Sequence, residues 1–231
     1  METLTVDELT FEVRRSPRRK TLEITLDRAG DLIIAAPPDV DQERLSAFVR
    51  EKRLWLYAKM AEKQSLQQPM AGKEFVSGEG FPYLGRSYRL LLVDDQEVPL
   101  RLEAGRFKLR RSLAPQGREH FIAWYTEHAR AWLRHRVKGW ASRMGLQPKG
   151  IDVRDLAFRW GSCGKTGNIN FHWAAILLPV SVVDYVIVHE LAHLAEPNHT
   201  PEFWLRVGRV LPDYEQRKTW LAEHGGRHLL L

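Results

Sequence analysis

Two histidines and a glutamate lie within five residues of one another, in the sequence HELAH at residues 189–193. If this stretch is helical, His189 and His193 lie on one face, because an α-helix has about 3.6 residues per turn. Two imidazoles in this arrangement can bind one tetrahedral cation, and neutral imidazole nitrogens favour zinc. Glu190, beside the first histidine, can then take the proton of a water that the metal activates. The pattern therefore indicates a metal-dependent hydrolase.

The third metal ligand must come from outside HELAH, since a catalytic zinc usually has three protein ligands and one open position. We expect it to be His199, six residues after His193. Pro197 ends the helix, and Asn198 tolerates the left-handed backbone that would turn His199 towards the metal. The HExxHxxGxxH class has the same spacing, but this chain has Glu196 in place of the glycine. Glutamates on the following predicted helices remain alternative third ligands: Glu202, Glu215 and Glu223.

The residues around HELAH are apolar, as the sequence VIVHELAHLA at residues 186–195 illustrates. Buried imidazoles and a buried carboxylate cost desolvation free energy unless a partner compensates for it. A bound metal would be such a partner. The alternative is a helix whose histidines only form hydrogen bonds inside the core, which suits a lone histidine better than this set.

The rest of the chain alternates between β-rich and helical patterns. A first β-rich run is followed by a predicted helix over about residues 41–65 and a loop over residues 67–72. A second β-rich run precedes a long predicted helix over about residues 116–144. Two strands and three helices follow, and the first of these helices carries HELAH. This order predicts an α+β fold.

The second β-rich run ends near residue 112, and this position sets the predicted domain organisation. Residues 1–112 would form a β-rich N-terminal region with one helix, and residues 113–231 would form the region that holds the metal. The two regions can also form one compact unit, because 231 residues suit either one large domain or two small ones. No internal repeat is evident in the sequence.

The composition is that of a soluble globular protein, with 44% hydrophobic and 28% charged residues. The single cysteine, Cys163, cannot form a disulfide within the chain, and the N-terminus has no basic segment followed by an apolar run. A cytoplasmic location is therefore expected. The most apolar stretch, residues 172–188, is interrupted by a proline, a serine and an aspartate, so it predicts a buried strand and helix rather than a membrane span.

The chain is basic, with a formal net charge of +6 at neutral pH. Its basic residues cluster at residues 14–20, 101–111 and 130–138. Such clusters are most often solvated hairpins or a solvated helix face. The alternative is a surface that binds nucleic acid or a phosphate-bearing substrate.

Four segments of the chain carry long and specific patterns. They are RWGSCGKTGNINFHW at residues 159–173, LLPVSVVDYVIVHELAHLAEPNHTPEFW at residues 177–204, LPDY at residues 211–214, and SPRRKTLEITLDRAGDLIIAAPP near the N-terminus. These segments resemble the YgjP-like metallopeptidase-domain family, and the resemblance covers most of the chain. It implies a zincin-like α+β fold, with a site related to those of SprT-like and other HExxH metallopeptidases. It also implies that His189, His193 and His199 bind the metal and that Glu190 is the catalytic carboxylate.

The segment RWGSC at residues 159–163 matches the same family. We expect it to form the floor or edge of the site, and a purely structural role is an equal alternative. The next strand, GNINFHW at residues 167–173, is the predicted strand for an extended peptide. In zincins a strand beside the metal helix commonly holds the substrate by main-chain pairing, which tolerates many substrate sequences.

The predicted function is that of a zinc-dependent metallopeptidase, with one Zn²⁺ per chain and a peptide or protein substrate. The first alternative is a nucleoside triphosphate pyrophosphohydrolase, which would need cationic groups such as Arg159 and Lys165 near the metal. The second alternative is a nucleic-acid-binding protein with a structural metal, for which four protein ligands are normal. No membrane partner is expected.

Overall fold

The computed structural model describes residues 2–26, 31–53, 56, 57, 60, 72–156 and 159–229. Contacts between residues divide the chain into two compact units, Met1–Met70 and Ala71–Leu231. The second β-rich run shares a hydrophobic core with the long helix that follows it. The division of the chain after residue 112 stays a prediction. The chain combines helices with antiparallel and parallel strands, and the predicted α+β class is confirmed.

The first unit is built on a four-stranded sheet. Its strands are β1 (Glu2–Val6), β2 (Leu9–Arg15), β3 (Glu23–Leu26) and β4 (Leu32–Ala36), in the order β1-β2-β4-β3. β2 and β4 are parallel, whereas the two outer pairs are antiparallel. Alternate strand residues, such as Phe11 and Ile34, share a buried core with Leu45 of helix α1 (Gln42–Glu51).

Helix α1 begins where the sequence predicts a helix. The side chain of Asp41 accepts a hydrogen bond from the backbone N–H of Arg44 at 2.7 Å, which caps the first turn. The predicted continuation of this helix to about residue 65 and the predicted loop over residues 67–72 lie largely outside the described residues.

The second unit repeats the arrangement of the first. Strands β5 (Gly80–Tyr83), β6 (Arg86–Val93), β7 (Leu100–Glu103) and β8 (Arg106–Arg110) form a sheet in the order β5-β6-β8-β7. The inner pair is again parallel, the outer pairs are antiparallel, and a helix follows, α2 (Gly117–Met144). The repeat is not visible in the sequence because this topology requires apolar alternation and short turns, and not the same residues.

Aromatic residues join this second sheet to α2. The rings of Phe81 and Phe121 stack with their centroids 4.0 Å apart, and the ring of Phe107 contacts Trp124 edge-on at 4.9 Å. These contacts explain why the second β-rich run belongs to the second unit. Helix α2 ends at Gly145, whose φ of 63° lies in the left-handed region that favours glycine.

A three-stranded sheet leads into the metal-site helix. Its strands are β9 (Gly150–Arg154), β10 (Gly161–Cys163) and β11 (Asn168–His172), in the order β10-β11-β9. β11 lies in the middle, antiparallel to β10 and parallel to β9. The prediction that GNINFHW offers its edge to a peptide is therefore wrong, because both edges of this strand are already paired. β10 is instead an edge strand of the sheet.

Three helices complete the second unit: α3 (Val180–Ala192), α4 (Pro201–Val210) and α5 (Tyr214–His224). α3 is almost entirely buried, as its apolar sequence predicts. Within it, the carboxylate of Asp184 accepts two hydrogen bonds of 2.7 Å from Arg136 and one of 2.9 Å from Trp140, so this buried charge is paired. No helix in the described part of the chain is long and apolar enough to cross a membrane.

Candidate metal centre

The three predicted histidines come together at the C-terminal end of α3. His189 lies in the last turn of the helix, His193 directly follows its last residue, and His199 lies in the loop before α4. One ligand nitrogen of each histidine lies within 4.8 Å of the other two. The Nε2 atoms of His189 and His199 are 3.0 Å apart. Among the described residues, the alternative third ligands are not part of this group: Glu202, Glu215 and Glu223.

A compact turn brings His199 back to the end of the helix. After α3, the backbone N–H of Glu196 donates to the carbonyl of Ala192 at 2.9 Å, and further on the N–H of Thr200 donates to the carbonyl of Asn198 at 2.8 Å. Asn198 does not have a positive φ, so the prediction that it makes a left-handed turn is wrong. Short-range hydrogen bonds turn the chain instead.

The turn also orients one of the imidazoles. Nδ1 of His193 lies 3.1 Å from the carbonyl oxygen of Glu196, the residue that occupies the glycine position of the HExxHxxGxxH pattern. A carbonyl oxygen only accepts hydrogen bonds, so Nδ1 is the protonated nitrogen and Nε2 carries the lone pair. Metal-bound histidines in proteins commonly have such a partner on the other ring nitrogen.

Phe203, on α4, packs against all three histidine rings. Its ring centroid lies 5.0 Å from that of His189, 4.6 Å from that of His193 and 4.8 Å from that of His199, and its side chain is fully buried. The ring of Trp204 stacks on His199 with the centroids 5.6 Å apart. These contacts restrict the rotation of the imidazoles and hold their nitrogens together.

Burial favours the neutral form of the His189 imidazole. The pKa of His189 is lowered to about 3, first by burial and then by the charges of His193, His199 and Lys218. Burial, His193 and Lys218 also lower the pKa of His199. The His189 ring therefore offers a lone pair at neutral pH, and the lowered pKa of the exposed His199 favours its neutral form. Three converging imidazole nitrogens are the donor set of a catalytic zinc site, so these residues fit a bound Zn²⁺.

Glu190 lies in a nearly dry environment, with 7% of its surface exposed. Burial raises the pKa of its carboxyl to about 7, although the positive charge of Arg159 and a hydrogen bond from the backbone N–H of Cys163 both act to lower it. A carboxyl with a pKa near 7 can both accept and donate a proton at neutral pH, which is what a general base that later acts as an acid requires.

The segment RWGSC forms the wall beside this carboxylate. A Cβ atom placed on Gly161 would lie 2.6 Å from Cγ and 2.7 Å from Oε1 of Glu190, far closer than any ordinary contact. Only glycine leaves room for the carboxylate here, and the neighbouring Cys163 supplies the N–H that binds it. The segment therefore lies at the edge of the site, which was one of the two alternatives for it.

The burial of Glu190 predicts how the stability of the metal-free protein depends on pH. Because the pKa is raised from 4.5 to about 7, the folded state retains a proton that the unfolded state has lost between these values. The free energy of unfolding of the wild type, relative to Glu190→Gln, should therefore fall as the pH rises from about 4.5 to about 7 and level off above this range. Thermal unfolding of both chelator-treated proteins at each pH measures this change. A pH-independent difference would contradict a buried, neutral Glu190.

Several cations of the basic clusters have acidic partners within the protein. Arg15 in the first cluster pairs with Glu2 at 2.7 Å, and Lys108 in the second pairs with Glu103 at 2.6 Å. A cation that already has an acidic partner is less available to a phosphate backbone. These ion pairs favour the interpretation of the clusters as solvated hairpins over a surface for nucleic acid.

The site has three features of a metal-dependent hydrolase. They are a helix that carries HExxH, a third histidine that a turn brings close to the first two, and the buried carboxylate of Glu190 beside His189. The chain matches the YgjP-like, metallopeptidase domain family over residues 20–224, and it belongs to this family. The resemblance seen in the sequence is thus confirmed. Membership places the protein among the metal-dependent hydrolases of the metallopeptidase class.

Among solved structures, the chain is similar to the metallopeptidase zymogen of Pyrococcus abyssi abylysin. The two are 23% identical, the match covers 38% of this chain and 90% of that chain, and the TM-score is 0.36. No curated relative matches the chain.

Proposed function

We propose that the protein is a zinc-dependent metallopeptidase with one Zn²⁺ per chain, bound by His189, His193 and His199. Glu190 is the general base. The observation that carries this proposal is the convergence of the three ring nitrogens, within 4.8 Å of one another, at the end of the helix that also holds a buried carboxyl with a pKa raised to about 7.

The residues of the site have different roles in hydrolysis. A divalent cation held by three imidazoles supplies Lewis acidity and lowers the pKa of a neighbouring water. Glu190 accepts the proton of the attacking water and donates it to the leaving amine. The N–H of Cys163 fixes one orientation of the carboxylate, and the bare backbone of Gly161 lets it occupy this position.

The outer edge of β10 supports a peptide as the substrate. Trp160 and Gly164 pair with β11 through hydrogen bonds of 2.9 Å and 2.8 Å. Since backbone groups alternate along a strand, Gly161 and Cys163 turn theirs towards the opposite edge. One of these groups, the N–H of Cys163, binds Glu190, and the others can pair with an extended peptide. A peptide on this edge passes directly beside Glu190.

A nucleoside triphosphate pyrophosphohydrolase is the second candidate, and one observation favours it. The charge of Arg159 is close enough to lower the pKa of Glu190, and cations beside a metal stabilise phosphate groups. Lys165, the other predicted cation, is not among the charges that shift the pKa of a site residue. Release of pyrophosphate from ATP by the wild type, but not by Glu190→Gln, would favour this candidate over a peptidase.

A structural metal in a nucleic-acid-binding protein is less well supported. A structural zinc is normally closed by four protein ligands, whereas the group found among the described residues contains three histidines. A cytoplasmic location stays a prediction.

Elemental mass spectrometry of the purified protein tests the proposed centre. We expect about one zinc per wild-type chain and less than about a tenth of that in His193→Ala, because the remaining two histidines bind zinc far more weakly. Circular dichroism of the variant checks that the fold survives. A wild-type protein that contains no transition metal, even after incubation with zinc, would overturn the proposed function.

A further inference from the structure

Lys218, on α5, lies near His199 of the candidate metal centre, with Trp204 as their shared neighbour. Its Nζ is 4.4 Å from the centroid of the Trp204 ring, a cation–π contact that orients the ammonium group. The same Trp204 ring stacks on His199, with centroids 5.6 Å apart and planes 22° apart. The ammonium group of Lys218 is thus held against Trp204, the ring that packs on the candidate ligand His199.

The charge of Lys218 has no acidic partner among the described residues. The adjacent cation on α5, Arg217, is bound to Asp213 at 2.9 Å and to the carbonyl of Ser181 at 2.8 Å. Lys218 takes part in no such ion pair with a described residue. A cation that is oriented but not neutralised is available for an anion of the substrate.

A second cation, Arg159, belongs to the segment that lies beside Glu190. It too forms no ion pair with a described residue. A divalent metal held by the three histidines would add further positive charge near Lys218. Such a field attracts and orients anionic groups.

We propose that Lys218 forms a subsite for a carboxylate of the substrate, from an aspartate or glutamate side chain close to the scissile bond. This inference rests on the proposed peptidase function. The anion is taken to be a carboxylate because the proposed substrate is a peptide, whose anionic side chains are carboxylates. Many phosphate sites instead direct several backbone N–H groups at one point.

Binding of blocked hexapeptides to the zinc-loaded Glu190→Gln protein tests the subsite without turnover. One set contains alanine and serine with a single glutamate moved through the six positions, and the matched set has glutamine instead. Calorimetry measures the dissociation constant of each peptide. At one position or more, the glutamate peptide should bind about fivefold more tightly than the glutamine peptide. The preference should vanish when Lys218→Met is combined with Glu190→Gln. It should persist when Lys138→Met is combined with Glu190→Gln instead, because this substitution removes an exposed lysine of α2.

Three outcomes would overturn the subsite. They are equal binding of the two peptide sets, a glutamate preference that survives Lys218→Met, and no binding of any peptide. ATP forms a further arm of the test: tighter, Lys218-dependent binding of ATP than of every glutamate peptide would assign the subsite to phosphate instead.

A cleavage assay with the wild type separates this inference from the proposed function. Cleavage of peptides without a Lys218-dependent preference for acidic residues would contradict the subsite and support the peptidase function. Selective, Lys218-dependent binding without any cleavage would contradict the peptidase function and support a carboxylate-binding site.

Discussion

Glu190→Gln is expected to lose hydrolytic activity by about a thousandfold, the range of a general acid–base group, while the protein keeps its metal. Glutamine has the same shape as glutamate, so it fits against Gly161 and its amide oxygen can still accept the N–H of Cys163. It has no carboxylate to accept a proton from water. The variant therefore separates the chemical step from metal binding and from the fold.

The measurement compares the kcat and the zinc content of three purified proteins. His193→Ala should lose both, whereas Glu190→Gln should lose only kcat. Glu202→Gln is the matched control, because this exposed glutamate at the start of α4 is near in sequence and was an alternative third ligand. It should keep both properties. Substantial activity in Glu190→Gln would exclude Glu190 as the base, and loss of zinc from Glu202→Gln would reopen the ligand assignment.

The features that the sequence predicts well are local ones. The spacing of His189 and His193 places both on one helical face without any knowledge of the fold. The start of α1 after Asp41 and the end of α2 at Met144 depend on a few neighbouring residues, and the structure has both. The return of His199 could also be expected from the count of residues, although hydrogen bonds make the turn without a left-handed residue.

The features that the sequence does not predict are non-local ones. Nothing in GNINFHW indicates that β9 pairs with its outer edge, because that partner comes from a separate segment and runs parallel to it. The core partners of the second sheet are non-local in the same way, since they lie on α2. The repeated four-stranded topology likewise depends on which strands pair, and different residues can produce the same pairing.

The packing of residues around the histidines is also a non-local feature that the sequence does not predict. Phe203 appears in the sequence as one apolar position of an amphipathic helix, and only the fold brings it against three imidazoles. Lys218 appears as a solvated lysine, and only the fold places it over Trp204. Gly161 carried a usable signal, since it lies in RWGSC, but the sequence could not say which side chain needed the space.

The position of Gly161 gives the second prediction with a large expected effect. Gly161→Ala should lower kcat by about a hundredfold, the scale of a displacement of about 1 Å in a catalytic group, and leave the zinc content unchanged. The new methyl group would meet Cγ, Oε1 and Cδ of Glu190 at 2.6–2.9 Å. These atoms belong to the end of a flexible side chain, so the carboxylate moves and the backbone of β10 does not have to.

Gly164→Ala is the matched control for this prediction. It makes the same substitution in the loop directly after β10, where the nearest atom to a new Cβ is the carbonyl oxygen of Asn168 at 3.5 Å, an ordinary contact. The kcat, zinc content and unfolding temperature of both variants distinguish a displaced carboxylate from a damaged fold. If Gly161→Ala keeps the wild-type kcat, or loses zinc and unfolding temperature together with kcat, then β10 does not act by leaving space for Glu190. If only kcat falls, and only in Gly161→Ala, the edge strand determines where the general base sits.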